Sequence, residues 1–290
     1  MPSKKKSPEL SIVEALRVPR GPVDLAAYDT RATPGHDGSK KRGKAALPAL
    51  GGELSDLQER LFAEGRTGGR RRILLVLQGM DTSGKGGVVR HVLALVDPQG
   101  VHTTSFKAPT QDELRHDFLW RVGRELPQPG IIGVFDRSHY EDVLIARVRD
   151  LVPREQITER YQRINDFEQR LVDEGTVVVK CMLHISAAEQ KERLLARLDD
   201  TEKLWKFDPG DVDERIRWKD YQEAYELAIE KTSTEHAPWL VVPSDRKWYR
   251  NLAVAEVLRQ TLSEMHPSWP GADFDVEQQR RRLVEETPVG

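Results

Sequence analysis

The run Ile73-Leu74-Leu75-Val76-Leu77 passes almost directly into Gly79-Met80-Asp81-Thr82-Ser83-Gly84-Lys85-Gly86-Gly87. No other stretch limits the possible fold as strongly. An unbroken aliphatic run of this length reads as a strand covered on both faces, as in a parallel sheet. Gly79 and Gly84 stand five apart with Lys85 next, the G-x-x-x-x-G-K spacing of a phosphate-binding loop that joins a strand to a helix. The chemistry requires that spacing. Glycines let the backbone curl until successive N–H groups point inward at phosphate oxygens. The helix N-terminus adds the positive end of its dipole, and Lys85 supplies a mobile cation. Thr82, Ser83, Gly86 and Gly87 complete the candidate cradle. A glycine-rich turn without a ligand is the plain alternative.

Strand-like and helix-like patterns alternate beyond this point. Strands are expected near 73–78, 101–106, 131–135, 176–183 and 239–242. Helices are expected near 85–96, 110–125, 154–173, 186–198, 211–231 and 247–264, with another from Leu47 to Ala63, where Leu47, Leu50, Leu54, Leu57 and Leu61 recur at three- and four-residue steps. Strands separated by helical lengths predict an α/β fold of three layers, a parallel sheet with helices on both faces. Residues 46–270 form the expected domain. Residues 1–45, broken by Pro19, Gly21, Pro22, Pro34 and Gly35, read as a basic arm, extended or partly disordered. Residues 271–290 read as a tail.

With 290 residues, 38% of them hydrophobic, the chain can bury a substantial core. Its formal net charge is −2, so a polyanionic ligand needs positive charge gathered locally. The single cysteine, Cys181, lies in the apolar run 177–183; no internal disulfide is possible, which fits a reducing cytoplasm, and a packed strand residue is expected. No apolar stretch approaches the roughly 18 residues of a membrane span. Lys4, Lys5 and Lys6 precede no apolar run, so no secretory signal is read. Neither a membrane nor a nucleic-acid partner is expected.

Two departures from an ordinary phosphate loop are informative. The hydroxyl residue that usually follows the lysine and binds magnesium is Gly86 here. Asp81 is an unusual carboxylate inside a phosphate cradle. It reads as a magnesium ligand or a residue that orients the acceptor phosphate, with a loop cap as the alternative. Ile131-Ile132-Gly133-Val134-Phe135 ends in Asp136-Arg137. An acid at the end of a core strand is where P-loop enzymes hold magnesium, so Asp136 is the second candidate metal ligand. Arg137 can neutralise charge on a transferred phosphoryl group or pair with Asp136. Glu141 and Asp142 can address a nucleotide or its metal. His139 is read as a hydrogen-bonding residue rather than a nucleophile. Residues 193–220 read as a mobile lid in which Arg193, Arg197, Lys203 and Lys206 aim at a polyanion; pairing with neighbouring acids is the alternative. Arg147 and Lys247 are further candidates. Trp205, Trp218, Tyr221 and Tyr225 can stack on a base or pack in the core.

The segments GMDTSGKGG, FDRSHYEDVL, LHIS, KLWKFDPGDVDER, YQEAYE and APWLVVPSDRKWYRN, in this order from about residue 47 to 265, resemble the polyphosphate kinase 2 family. The resemblance implies a P-loop kinase fold similar to thymidylate kinases, with a helical lid, and magnesium-dependent phosphoryl transfer between inorganic polyphosphate and nucleotides. It places the family's loop aspartate and lysine on Asp81 and Lys85, and its strand-end aspartate and arginine on Asp136 and Arg137. The segment 139–142 resembles the subgroups accepting AMP, and the chain as a whole the one using AMP and ADP, which gives AMP, ADP and ATP as ligands. A homodimer or homotetramer is implied as well. An ATP-dependent small-molecule kinase of the same fold and a non-catalytic nucleotide-binding protein remain as alternatives.

Overall fold

A computed structural model describes residues 10–286. Lys4, Lys5, Lys6 and the last four residues of the tail lie outside it. Five strands, β1 (Arg72–Gln78), β2 (Val101–Ser105), β3 (Ile132–Asp136), β4 (Thr176–His184) and β5 (Trp239–Pro243), form one parallel sheet in the order β2-β3-β1-β4-β5. The helices are α1 (Ile12–Leu16), α2 (Lys40–Ala49), α3 (Gly51–Arg66), α4 (Lys85–Val92), α5 (Trp120–Arg124), α6 (Ile145–Val148), α7 (Arg154–Asp173), α8 (Ala187–Leu198), α9 (Gly210–Ile216), α10 (Trp218–Thr232), α11 (Lys247–Met265) and α12 (Val276–Glu285).

The two-residue period of a strand divides the core into two apolar layers. Leu74, Val76, Val178, Met182, Trp239 and Val241 face one way, packed with residues of α6, α7 and α10. Ile73, Leu75, Leu77, Val179, Leu183 and Val242 face the other, with residues of α3, α4 and α11. β1 is central, so its fully apolar sequence follows from burial on both sides. Cys181 is buried in the second layer, and burial pushes its thiol up to about 12; it packs rather than reacts, as expected. In α7, Ile157, Tyr161, Ile164, Phe167 and Leu171 form the buried stripe that the helical period requires.

The structure corrects several boundaries. The helix read from Leu47 to Ala63 is two helices, α2 and α3, that meet at Leu50, just after Pro48. The helix read over 110–125 reduces to a single turn at Glu113–Arg115 and to α5, because the chain turns extended at His116. The helix over 211–231 breaks at Arg217 into α9 and α10.

Residues 10–45 are not an extended arm. Leu16, Val18 and Leu25 are buried in the core. Val18 N–H donates to the Trp239 carbonyl at 3.0 Å, and Arg17 bridges Leu240 antiparallel, so this segment covers the open edge of β5. Further along, Thr30 Oγ1 donates to Asp245 Oδ2 at 2.9 Å and Tyr249 Oη to the Pro34 carbonyl at 2.6 Å. The basic cluster 40–44 is the first turn of α2, capped by Ser39, and its Gly43 lies so close to the Trp248 ring that a Cβ would clash. Prolines and glycines stop regular structure here, but a few aliphatic anchors suffice to dock the segment.

A docked arm makes a direct stability prediction. Leu16→Ala should cost about 2–5 kcal/mol, the range for emptying a buried leucine site, measured by denaturant unfolding. An unchanged midpoint would mean that residues 10–35 are not part of the folded core.

Candidate active site

In open α/β sheets, ligands gather where the strand order reverses, at the C-terminal ends of the strands. β1 occupies that place between β3 and β4. The register sets Leu77 opposite Asp136 and Asp136 opposite Ser105, so the phosphate loop and the Asp136 strand end share one edge. Gly79 and Gly84 adopt positive φ of 147° and 111°, which only glycine takes without strain. Two non-glycine residues, Thr82 (φ 61°) and Arg137 (φ 64°), are also left-handed. Such strained backbone gathers at working sites.

Lys85 is buried and its Nζ donates to the Gly79 carbonyl at 2.8 Å. Arg137 Nη2 donates to Asp81 Oδ1 at 2.7 Å, which links the loop to the β3 end. Arg137 therefore pairs with Asp81 and not with Asp136, the partner weighed from the sequence. Burial pushes the Asp81 carboxyl up, but Lys85, Arg137 and Arg197 more than offset it and leave it below the usual range. Glu141 comes out the other way: burial raises it, and Arg137 and Lys85 only partly compensate. Gln78, buried at the end of β1, places its amide nitrogen 3.0 Å from Glu141 Oε1 and its oxygen on Ser138 once the amide is turned to satisfy both. Asp142 lies 3.7 Å from Arg121 and 3.5 Å from Arg160.

Behind the loop sits an arginine that the sequence reading did not single out. Arg250 of α11 is buried, and its guanidinium packs against Gly84 and Gly87, where a Cβ on either would clash with it. It donates to the Ser83 carbonyl at 3.2 Å and to Asn251 Oδ1, and it has no carboxylate partner among the described residues. Burial, with Arg193 beside it, pushes it down to about 10. The segment SDRKWYRN contains it, yet nothing in that string marks one arginine as facing the loop.

Arg193 is placed differently from the expectation. Its guanidinium donates to the carbonyls of Thr82 (2.8 Å), Ser244 (2.7 Å) and Asp245 (3.0 Å), with a longer contact to Ser83, and its Nε to Glu189 at 2.9 Å. All five N–H groups of the side chain are engaged, so it braces the loop from outside. Arg197 Nη1 binds the Lys206 carbonyl and Asp211, joining α8, the turn at Leu204–Lys206 and α9. Lys203 pairs with Asp200. Lys206 lies 4.9 Å from the ring centre of Trp205, itself largely exposed. Lys247 is lowered by partial desolvation and by the neighbouring Arg193, Arg250 and Lys203. Arg147 pairs with Glu223 of α10 at 2.6 Å and is not drawn into this group. Tyr221 and Tyr225 are buried in the core. His139 is fully buried, 3.2 Å from Glu168, in a hydrogen-bonding place.

Beside Asp136, at the end of β2, lies a cavity of about 470 Å³ lined by Phe106, Lys107, Trp120, Arg121 and Arg124 among others. His116 stacks on Trp120 with centroids 3.9 Å apart, and the Arg124 guanidinium lies 4.9 Å from the same ring. Aromatic faces and guanidinium groups together suit a nucleotide. In the loop itself, Thr82 Oγ1 and Ser83 Oγ are buried without a partner among the described residues. Beside Gly86 the space is open, so sterics do not account for the missing hydroxyl.

The sequence profile described as Polyphosphate kinase 2 (PPK2) matches residues 37–270, and the chain belongs to that family. It is 46% identical over 252 residues to the "AMP/ADP-polyphosphate phosphotransferase" of Meiothermus ruber, covering 87% of this chain and 93% of that one. It is 43% identical to the "ADP-polyphosphate phosphotransferase" of Rhodopseudomonas palustris over 260 residues, 86% of this chain and 88% of that one. The crystal structure of polyphosphate kinase 2 from Arthrobacter aurescens TC1 superimposes with a TM-score of 0.93 at 53% identity, covering 96% of this chain and 98% of that one. The fold is thus the α/β P-loop kinase fold expected from the sequence. No helix among the described residues is long and apolar enough to cross a membrane.

The placement of Arg193 predicts a separation within the candidate lid. Arg193→Ala should lower the thermal midpoint and the activity to a similar extent at low and high salt, because it removes buried hydrogen bonds. Lys203→Ala and Lys206→Ala should leave the midpoint nearly unchanged and weaken use of a polyanion in a salt-sensitive way, since exposed charges are screened over about 8 Å. An Arg193→Ala protein with parental stability would refute the bracing role.

Proposed function

We propose that the chain transfers phosphoryl groups between inorganic polyphosphate and adenine nucleotides, taking AMP to ADP and ADP to ATP, reversibly and with Mg2+. The observation that carries the reading is that a chain of this family retains the whole charged set, Asp81, Lys85, Asp136 and Arg137, on one sheet edge. Identity to the Meiothermus ruber relative supports acceptance of both AMP and ADP.

The reaction breaks the terminal phosphoanhydride P–O bond of the donor and forms a P–O bond to the terminal phosphate oxygen of the acceptor. The shortened chain leaves with the bonding electron pair. The acceptor oxygen is already anionic, so no residue has to remove a proton, and the protein's task is positioning and charge stabilisation. The loop N–H groups and Lys85 hold the transferred group. Arg137, steadied by Asp81, meets charge that develops on it. The cavity near Trp120 receives the nucleotide, with Arg121 and Arg124 toward its phosphates. Lid residues 193–220, through Arg197, Lys203 and Lys206, draw in the polyphosphate chain.

Magnesium takes octahedral oxygen ligands and is bound through one or two carboxylates plus substrate phosphates. Asp81, Asp136 and the two unpartnered loop hydroxyls fit that demand, and they supply the oxygens that Gly86 cannot. Bound there, the ion neutralises charge on neighbouring phosphate oxygens. The reading also includes a cytoplasmic homodimer or homotetramer, implied by the family alone and open to sedimentation analysis.

The test is direct. Purified protein with AMP, magnesium and long-chain polyphosphate, without ATP, should yield ADP and then ATP. No nucleotide product would reject the reading, and ADP as sole product would restrict it to AMP. Lys85→Ala should lower the rate by roughly 10²-fold or more with the fold intact. Asp136→Asn should raise the magnesium needed for half-maximal rate; a parental magnesium response would place the ion elsewhere.

A further inference from the structure

The transfer reaction makes no use of a charged cluster buried in the apolar layer beneath the site. Glu168 of α7, Lys180 of β4, and His139 and Tyr140 after β3 are each fully buried. Lys180 Nζ donates to Glu168 Oε2 at 2.6 Å, to Tyr140 Oη at 3.0 Å and to the Thr232 carbonyl at 2.7 Å, so its three donors are all used. Tyr140 Oη in turn donates to Glu168 Oε1 at 2.8 Å, and His139 Nε2 lies 3.2 Å from the same oxygen. Trp239 Nε1 closes the group on Thr232 Oγ1 at 2.9 Å. Lys180 occupies the β4 position between Val178 and Met182 on the face that otherwise carries apolar side chains. Glu168 lies beside Phe167 and Leu171 on the buried stripe of α7.

Stability alone does not account for such a group. Taking two charges out of water costs several kcal/mol per ion, and apolar replacements of a buried pair are often neutral or stabilising. What the pair touches suggests its use. His139 and Tyr140 are consecutive, and they sit in the middle of the segment that carries the site's acids and its arginine. Arg137, two residues before His139, holds a left-handed φ of 64°. Ser138 follows in extended conformation, with its Oγ accepting from Tyr140 N–H at 3.2 Å. Glu141 follows Tyr140 at once. A backbone held in a sparsely populated conformation needs surroundings that over-determine it, and the buried cluster is the rigid body to which this segment is fastened.

We propose that Glu168 and Lys180 are positioning residues for phosphoryl transfer: by gripping Tyr140 and His139 from below, they fix the strained turn that aims Arg137 at Asp81 and the phosphate loop. This rests on the assignment of Arg137 to the reaction. The parent's polyphosphate-dependent rate tests the activity, its loss in Arg137→Ala tests that assignment, and the ratio of the paired variant to the parent tests the inference.

The deciding experiment uses the paired replacement Glu168→Leu with Lys180→Met, the single variant Tyr140→Phe, and Arg137→Ala. The paired replacement should keep its thermal midpoint within a few degrees. Its kcat should fall roughly tenfold or more, as small misplacements of a catalytic group do, while KM for AMP and for polyphosphate changes less than about threefold, the pattern of an interaction made in the transition state. In the Arg137→Ala background the same pair should cost little further rate, because residues that act through Arg137 cannot add to its loss. Tyr140→Phe keeps the ring and removes the hydroxyl between Glu168 and Lys180; it should lower kcat severalfold. A folded pair variant with parental kcat overturns the proposal, as does a full additive loss in the Arg137→Ala background. Where the pair variant does not fold, Tyr140→Phe decides, and parental kcat there overturns the proposal equally.

Discussion

A phosphate loop turns its N–H groups inward, so its carbonyls face outward and need donors of their own. Here two buried guanidinium groups meet that need: Arg193 from α8 binds the Thr82 carbonyl, and Arg250 from α11 binds that of Ser83. Each stands behind the cradle and leaves the inner face free. Arg250 also fills the space above Gly84 and Gly87, so those glycines are required by an arginine as much as by a phosphate. Lys85 and Asp81 flank the two carbonyls that this outer clasp holds. In a chain with a formal net charge of −2, Arg250, with no carboxylate partner among the described residues, keeps positive charge beside the loop.

The sequence carried the sheet with little loss and set the charged residues of its edge close together in the chain. A both-faces-buried strand needs continuous aliphatic residues, and that signal is unambiguous in 73–77. The G-x-x-x-x-G-K spacing and the acid at the end of β3 are local patterns, legible because the residues that act together are adjacent in the chain. Arg250 was not legible, since its partner is 167 residues away and one arginine in a basic string looks like another. Arg193 failed for a related reason: its spacing from Arg197 marks a shared helix face but not which way that face turns. The arm was misread because prolines and glycines report the absence of regular structure, whereas docking depends on Leu16, Val18 and Leu25, three residues with no period among them.

The acids of the site divide by surroundings. Asp81, encircled by Lys85, Arg137 and Arg197, stays ionised readily. Glu141, raised by burial and with Asp81 and Asp142 as like-charged neighbours, gives up its charge more easily. One edge of the sheet thus carries carboxylates of different character, and the Gln78 amide donates to the Glu141 carboxylate at 3.0 Å. Asp211 of α9 belongs to the same field, raised by burial and by Asp81.

The covering of β5 by Arg17 and Val18 has a consequence for how the molecule is made. Thr30 and Asp245 meet across 215 residues of chain. At about 5–20 residues per second, Thr30 waits roughly 10–40 s for the surface it docks on. During that interval Leu16, Val18 and Leu25 are exposed, and the rest of the sheet must assemble without them. Docking of residues 16–30 therefore cannot be complete before β5 and Asp245 have been made.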